Sequence, residues 1–366
     1  MSLPKQAKPS TRSHYLLIGL VTSIFLVFIY IIGFSDVFAV EYNRDGKQGA
    51  FDAVSKKVAE VVTPKFNTAD YDKRLIANAN YASTTSTTTP RLWPAKNAIG
   101  VYPKQGAILP YKRIIAYYGN FYSTKMGVLG EYPPDVMIPK LKAEMAKWNA
   151  ADPSTPTIPA INYIAMTAQE SPGKDGMYRF RMPDSEIDKA VALAKQVDGI
   201  VILDIQIGLS TLQTEMPLLD KYLMMPNVHL GIDPEFSMKG GEAPGTVIGS
   251  VSSADVNFAI NHLANLVKEH DLPPKVLVIH RFTNRMVTGS ENIKPVPEVQ
   301  IVMDMDGWGP PAKKLNTYEQ FIVKQPVQFT GFKIFYKNDL KPPSTRLLTP
   351  AELLKLTPRP LFIQYQ

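Results

Sequence analysis

Eight short apolar, β-rich runs, most of them followed by a helical pattern, constrain this chain more than any other feature. They read RIIAYYG (113–119), AINYIAM (160–166), GIVILDI (199–205), VHLGID (228–233), KVLVIH (275–280), VQIVMD (299–304), TGFKIFY (330–336) and PLFIQYQ (360–366). Runs of this kind suit strands buried on both faces, as in a parallel sheet covered by helices. Helical patterns follow the first (PPDVMIPKLKAEMAKWN), second (PDSEIDKAVALAKQV), third (TEMPLLDKYLM), fourth (SSADVNFAINHLANLVKEH), sixth (AKKLNTYEQFIVK) and seventh (TPAELLKL). Ser253 or Asp255, and Thr349 before Pro350, are placed to cap two of these helices. The connection after the fifth strand, TNRMVTGSENIKPVPE, has no helical period.

This alternation predicts an α/β fold of the (β/α)8 TIM type over residues 111–366, with the eighth strand at the C-terminus. The last outer helix is then missing, and residues 95–110 are available to cover the gap. An open doubly wound sheet is the alternative, but no Gly-rich phosphate turn follows the first strand.

Barrels of this type carry their active sites at the C-terminal mouth. Several runs stop at a polar residue there: Asp204, Asp233, His280, Asp304, Lys333 and Gln364. A period of two puts Gln206, Glu235, Asp306 and Gln366 on the same faces, one layer further out. So many polar groups at buried strand ends exceed what packing needs. Two carboxyl groups in opposite protonation states can cleave a glycosidic bond, and their separation decides retention or inversion. Glu235 is the expected general acid, because Pro234 ends the strand and turns the glutamate toward the mouth. Asp304 or Asp306 is the expected nucleophile or base, with Asp233 a further catalytic candidate. Asp204, Gln206, His280, Lys333 and Gln364 are expected to bind substrate. Tyr117, Trp308 (in DMDGWG) and Tyr336 offer flat aromatic faces suited to sugar rings.

The structural alternative is that Asp304 with Lys333, and Asp233 with His280, merely neutralise each other. Asp204, Asp233, His280 and Asp304 are also suitable ligands for a divalent metal. No histidine-spacing motif supports one, and no cofactor is expected. KGGEAPGTVIGS (239–250) lacks phosphate-loop spacing, and the chain has no GxSxG elbow.

Upstream, Lys5, Lys8 and Arg12 precede YLLIGLVTSIFLVFIYIIGF (15–34), which carries no charge. At ~1.5 Å per residue this run crosses a bilayer core of about 30 Å. The basic flank places residues 1–14 in the cytoplasm and the barrel outside a single-pass anchor. Val37 and Ala39 fit a cleavage site, so release after Ala39 as a secreted protein is the alternative. Residues 35–110 read as a stalk, with one short amphipathic helix (FDAVSKKVAEVV, 51–62) and a Ser/Thr-rich spacer (YASTTSTTTPRLWP, 81–94). The absence of cysteine rules out disulfides, thiolate catalysis and lipidation at Cys. The net charge of +7 is scattered, with no basic run interleaved with aromatics, which argues against nucleic acid.

LGIDPEFSM, PGTVIGSVSSADVN, KVLVIHRF, DMDGWG, GFKIFY and LLTPAELL together resemble an uncharacterised family of exported bacterial proteins, chiefly actinobacterial, that includes lipoproteins. The resemblance spans residues 112–366 and takes in Asp233, Glu235, His280, Asp304, Asp306, Lys333 and Gln364. It implies a glycosidase-like TIM barrel outside the cytoplasm and no particular reaction. The chain departs from lipidated members in lacking their cysteine and carrying an apolar segment instead. The combined expectation is a membrane-anchored barrel hydrolysing envelope or environmental polysaccharide. A non-catalytic barrel that binds glycan or a partner, and a metal-dependent hydrolase, are the alternatives.

Overall fold

The computed structural model describes residues 66–81 and 90–366. The apolar run 15–34, the helix expected over 51–62 and most of the Ser/Thr-rich spacer lie outside the described residues. Among the described residues, no helix is long and apolar enough to cross a membrane.

All eight expected strands form: β1 Arg113–Gly119, β2 Thr157–Ala168, β3 Ile200–Ile205, β4 Val228–Ile232, β5 Lys275–Arg281, β6 Val299–Met305, β7 Phe329–Ile334 and β8 Phe362–Tyr365. Each pairs in parallel with the next, and β1 pairs with both β2 and β8. The ring is therefore closed, a TIM-type barrel, and the open-sheet alternative falls. Alternation explains the double burial. Ile115 and Tyr117 of β1, with Val201, Leu203 and Ile205 of β3, pack in one cluster with the helices. Ile114, Ala116, Ile200, Ile202, Val276, Val278 and Phe362 belong to a second cluster inside the barrel.

The longer helices are α1 Thr68–Ala79, α2 Pro134–Ala151, α3 Asp184–Gln196, α4 Ser253–Glu269 and α5 Pro311–Tyr318, followed by the single turn α6 Pro350–Leu353. The N-cap of α4 is Ser252, one residue before the expected position. Its hydroxyl accepts from the Asp255 N–H, and the Asp255 carboxylate accepts from the Ser252 N–H. Thr349, the cap expected from the sequence, makes the same box with Glu352 on α6. The helix expected after β3 breaks into Leu212–Glu215, a 3-10 turn Met216–Leu219 and Asp220–Leu223. Pro217 has no N–H to continue an α-ladder. The β5–β6 connection holds only 3-10 turns and a two-residue strand, in line with its missing period.

The boundary expected at residue 110 does not hold. Phe66–Gln366 form one compact unit. Tyr71 and Leu75 of α1, with Leu109, pack against Ile114, Ile200, Phe329 and Leu361 and seal the end of the barrel opposite the mouth. Tyr71, Leu75 and Ala79 recur every four residues and make a narrow buried stripe on an otherwise polar helix. Residues 95–110 serve this lower end as well: the Ile108 and Leu109 N–H groups donate to Gln300 Oε1. They do not cover the outer side of β8. There α2 and α6 pack on each other, and Trp148 Nε1 of α2 donates to Tyr365 Oη of β8 at 2.9 Å.

Candidate active site

Above the apolar barrel interior lies a layer of buried polar side chains: Asn162, Asp204, His280, Asp304 and Gln364. Glycines make room for the two aspartates. A Cβ at Gly331 would sit 2.4 Å from Asp304 Oδ1, and one at Gly231 would sit 3.1 Å from Asp204 Cγ. His280 lies among three aspartates. Its Nε2 is 2.8 Å from Asp204 Oδ2, and its Nδ1 is 3.2 Å from Asp306 Oδ2 and 3.4 Å from Asp304 Oδ2. Burial alone would lower the imidazole pKa, but these carboxylates hold it well above its ordinary value. Gln364 Nε2 donates to Asn162 Oδ1 at 2.8 Å.

The next layer opens into a cavity of about 470 Å³ at the mouth. Gln206, Asp233, Glu235, Asp306, Trp308 and Lys333 line it, as the sequence predicted. Lys333 Nζ lies 2.9 Å from Asp306 Oδ1 and 4.0 Å from the centroid of the Tyr118 ring. The pairings thus differ from those expected: Lys333 takes Asp306 rather than Asp304, and His280 takes Asp204 rather than Asp233. Strand register supplies the reason for the first. Gly331 pairs with Asp304, so Lys333, two residues on, is level with Asp306.

Glu235 reaches the cavity from a single 3-10 turn, Pro234–Phe236, rather than by continued strand alternation. Asp233 holds that turn. Its Oδ1 accepts from the Glu235 N–H at 3.2 Å, while its Oδ2 accepts from Gln206 Nε2 at 3.0 Å. Burial raises the Glu235 pKa to about 7, the nearby Asp306 charge adds to this, and Lys333 and His280 oppose it. Burial would raise Asp306 too, but Lys333 and His280 bring it below the usual carboxylate value. Asp233 is raised, first by burial. Of the three candidate carboxyls at the cavity wall, Asp233 and Glu235 are thus shifted toward the protonated form and Asp306 toward the ionised one.

Several expected site residues lie elsewhere. Asp204, His280, Asp304 and Gln364 sit beneath the cavity wall, fully buried, so Asp304 cannot meet a substrate as nucleophile or base. Neither of its oxygens has a hydrogen-bond partner, and burial raises its pKa. Tyr117 and Tyr336 face away from the mouth. Their hydroxyls are 3.3 Å apart, and the Tyr336 ring stacks on Tyr365 with centroids at 5.2 Å. Strand parity decides this: Ile114, Ala116 and Tyr118 point inward, whereas Ile115 and Tyr117 point at the helices. Tyr118 is the β1 tyrosine that lines the cavity, and the same alternation identifies it from sequence. Lys125, Phe282, Lys313, Phe335 and Gln366 line it as well. Lys125 comes from the β1–α2 loop, for which no periodicity gives a position.

Trp308 is 46% exposed at the lip. The ammonium groups of Lys313 and Lys341 each lie 5.1 Å from its ring centroid. Among the described residues, no group of three or more His, Asp or Glu is arranged to hold a metal ion. Compared with known proteins, the chain matches no protein-family profile and no curated sequence.

Proposed function

We propose that this barrel is a glycoside-hydrolase-like enzyme with Glu235 as general acid and Asp306 as the partner carboxylate. One observation carries the reading: both groups line one mouth cavity, with the Glu235 pKa raised to about 7 and that of Asp306 lowered. A carboxylic acid poised near neutrality protonates a leaving oxygen efficiently. In the proposed reaction Glu235 gives its proton to the glycosidic oxygen as the C–O bond to the anomeric carbon breaks. Asp306 stabilises the positive charge that develops on the sugar, by direct attack or by activating a water. Lys333 holds Asp306 ionised and fixed, and Asp233 with Gln206 positions the turn that carries Glu235. Trp308 supplies an exposed aromatic face for a sugar ring. An anchor at residues 15–34 would put the site outside the cell, on envelope or environmental polysaccharide.

The buried Lys333–Asp306 pair favours a second reading, a barrel that binds glycan without turnover, because a neutralised carboxylate is a weaker nucleophile or base. The test uses the full chain in non-ionic detergent with polysaccharides, oligosaccharides and aryl glycosides. New reducing ends that disappear in both Glu235→Gln and Asp306→Asn support the enzyme. Glu235→Gln should spare aryl glycosides whose leaving group needs no proton. Saturable glycan binding without product would establish the binding barrel instead.

A further inference from the structure

A second cavity, about 250 Å³, lies at the lower end of the barrel, remote from the mouth. Lys73 and Arg74 of α1, Arg113 at the start of β1, and Arg359 before β8 line it together with Ser154 and Thr155. Asp70 also lines it, but Asp70 is bound to Arg74 at 2.8 Å. Arg113 is fully buried; its Nη2 binds Asp152 at 3.0 Å and its Nε binds the Pro360 carbonyl at 3.1 Å. Its Nη1 has no hydrogen-bond partner. Among the described residues, the ion pairs around this cavity are Arg74–Asp70 and Arg113–Asp152, which leaves Lys73 and Arg359 without acidic partners. Burial holds the Arg113 pKa below its ordinary value, and the Arg359 charge adds to that against Asp152. Like charges gathered on one cavity repel unless an anion lies between them.

We infer that this lower cavity binds a phosphate group, with Arg359 and Lys73 as its accessible donors and Arg113 as the fixed cation behind them. Guanidinium forks match the oxygen geometry of phosphate, and hydroxyls beside them add neutral donors. The phosphate has two sources by chemistry: the free inorganic anion, or a phosphodiester such as a glycerophosphate headgroup or polymer. The unclaimed excess of cations over acids is what sets this cavity apart from the mouth, where Asp233, Glu235 and Asp306 balance Lys125, Lys313 and Lys333.

The test titrates the full chain, in non-ionic detergent, with inorganic phosphate and separately with glycerophosphoglycerol, using chloride at matched ionic strength as control. Saturable heat with either phosphate compound, and none with chloride, is expected. Each of Arg359→Gln and Lys73→Gln should weaken binding at least about ten-fold, the loss of one charge-assisted hydrogen bond. Preference for the inorganic anion identifies free phosphate, and binding of the diester identifies a headgroup or polymer. Equal binding in parent and both variants, or no binding of either compound, overturns the inference. Glu235→Gln at the mouth should leave phosphate binding unchanged, which separates this cavity from the proposed glycosidase site.

Discussion

Lys333 and Asp306 form a buried ion pair in the wall of the mouth cavity, Nζ to Oδ1 2.9 Å. Removing one member of such a pair strands the other, at a cost of about 3–5 kcal/mol. We therefore expect Lys333→Met to lower stability by that order and to raise the Asp306 pKa. The sign follows from the direction of the shift. A carboxylate lowered in the folded state stabilises the fold above its unfolded pKa, and that contribution is lost as pH falls through the folded value. In Lys333→Met the Asp306 pKa moves up toward or past its unfolded value, so this acid-side loss should shrink or reverse and the deficit against the parent should narrow as pH falls. Urea melts between pH 3 and 8 measure it. The double variant Lys333→Met with Asp306→Asn should recover most of the deficit. A single variant as stable as the parent would show that the pair is not buried as described.

Glu235 presents the opposite case. Its pKa is raised from an ordinary 4.5 to about 7, so the folded state holds the proton more tightly than the unfolded state. Stability then falls as pH rises from about 4.5 through 7, reaching on the order of 3 kcal/mol above both values. Glu235→Gln removes that penalty. The variant should match the parent near pH 4 and melt higher than it at pH 8. Any hydrolysis of substrates with poor leaving groups should fall by a factor of at least about 10². A melting point that drops at pH 8 would mark Glu235 as a structural residue and move the acid role elsewhere.

The closed barrel was legible because eight apolar runs of strand length alternate with helical periods, and that pattern needs only local information. The strand-end residues were legible for the same reason: alternation along a buried strand fixes which side chains face inward. What failed were features that depend on register or loops. Lys333 pairs with Asp306 because β7 is shifted against β6, and no single strand records that shift. Asp304 and Asp306 share a face, yet only Asp306 rises into the cavity. Tyr117 was chosen where parity selects Tyr118. The lower plug was missed because α1 hides Tyr71 and Leu75 among Asp, Lys and Asn, so its composition reads as linker.

That plug yields its own test. Tyr71 is 1% exposed and Leu75 is 8% exposed, both packed under the barrel. Removing a buried side chain of either size costs about 2–5 kcal/mol. A fragment of residues 66–366 should fold cooperatively, whereas one of residues 95–366 should lose α1 and melt markedly lower or aggregate. Leu75→Ala in the longer fragment should cost about 2–3 kcal/mol by denaturant titration. Equal melting of the two fragments would return α1 to the role of a stalk.

Trp308 separates binding from folding. Nearly half its surface is exposed at the lip, and its ring lies beside Lys313 and Lys341 rather than core residues. Trp308→Ala should leave the thermal midpoint within about 1–2 °C, as surface changes do. Glycan affinity, or KM where turnover is seen, should weaken about ten-fold. An unchanged affinity with the midpoint also unchanged would remove the tryptophan from the sugar platform.

Gly331 tests how tightly the buried polar layer is built. An added Cβ would meet Asp304 Oδ1 at 2.4 Å and Phe362 Cδ1 at 2.9 Å. Neither neighbour can retreat easily: Asp304 is fully buried beside His280, and Phe362 is fully buried inside the barrel. Overpacking at such a site costs about 1–3 kcal/mol, so Gly331→Ala should destabilise by that amount. The strain should also reach the cavity, because Asp304 shares His280 with Asp306. We expect Gly331→Ala to lower any activity more than its folded fraction explains. A double-mutant cycle with Asp304→Ala locates the cause. If the carboxylate is what the new methyl strikes, the double variant is more stable than the two single losses predict, by about 0.5–3 kcal/mol. Strict additivity would place the clash on Phe362 alone and leave Gly331 with no part in seating Asp304.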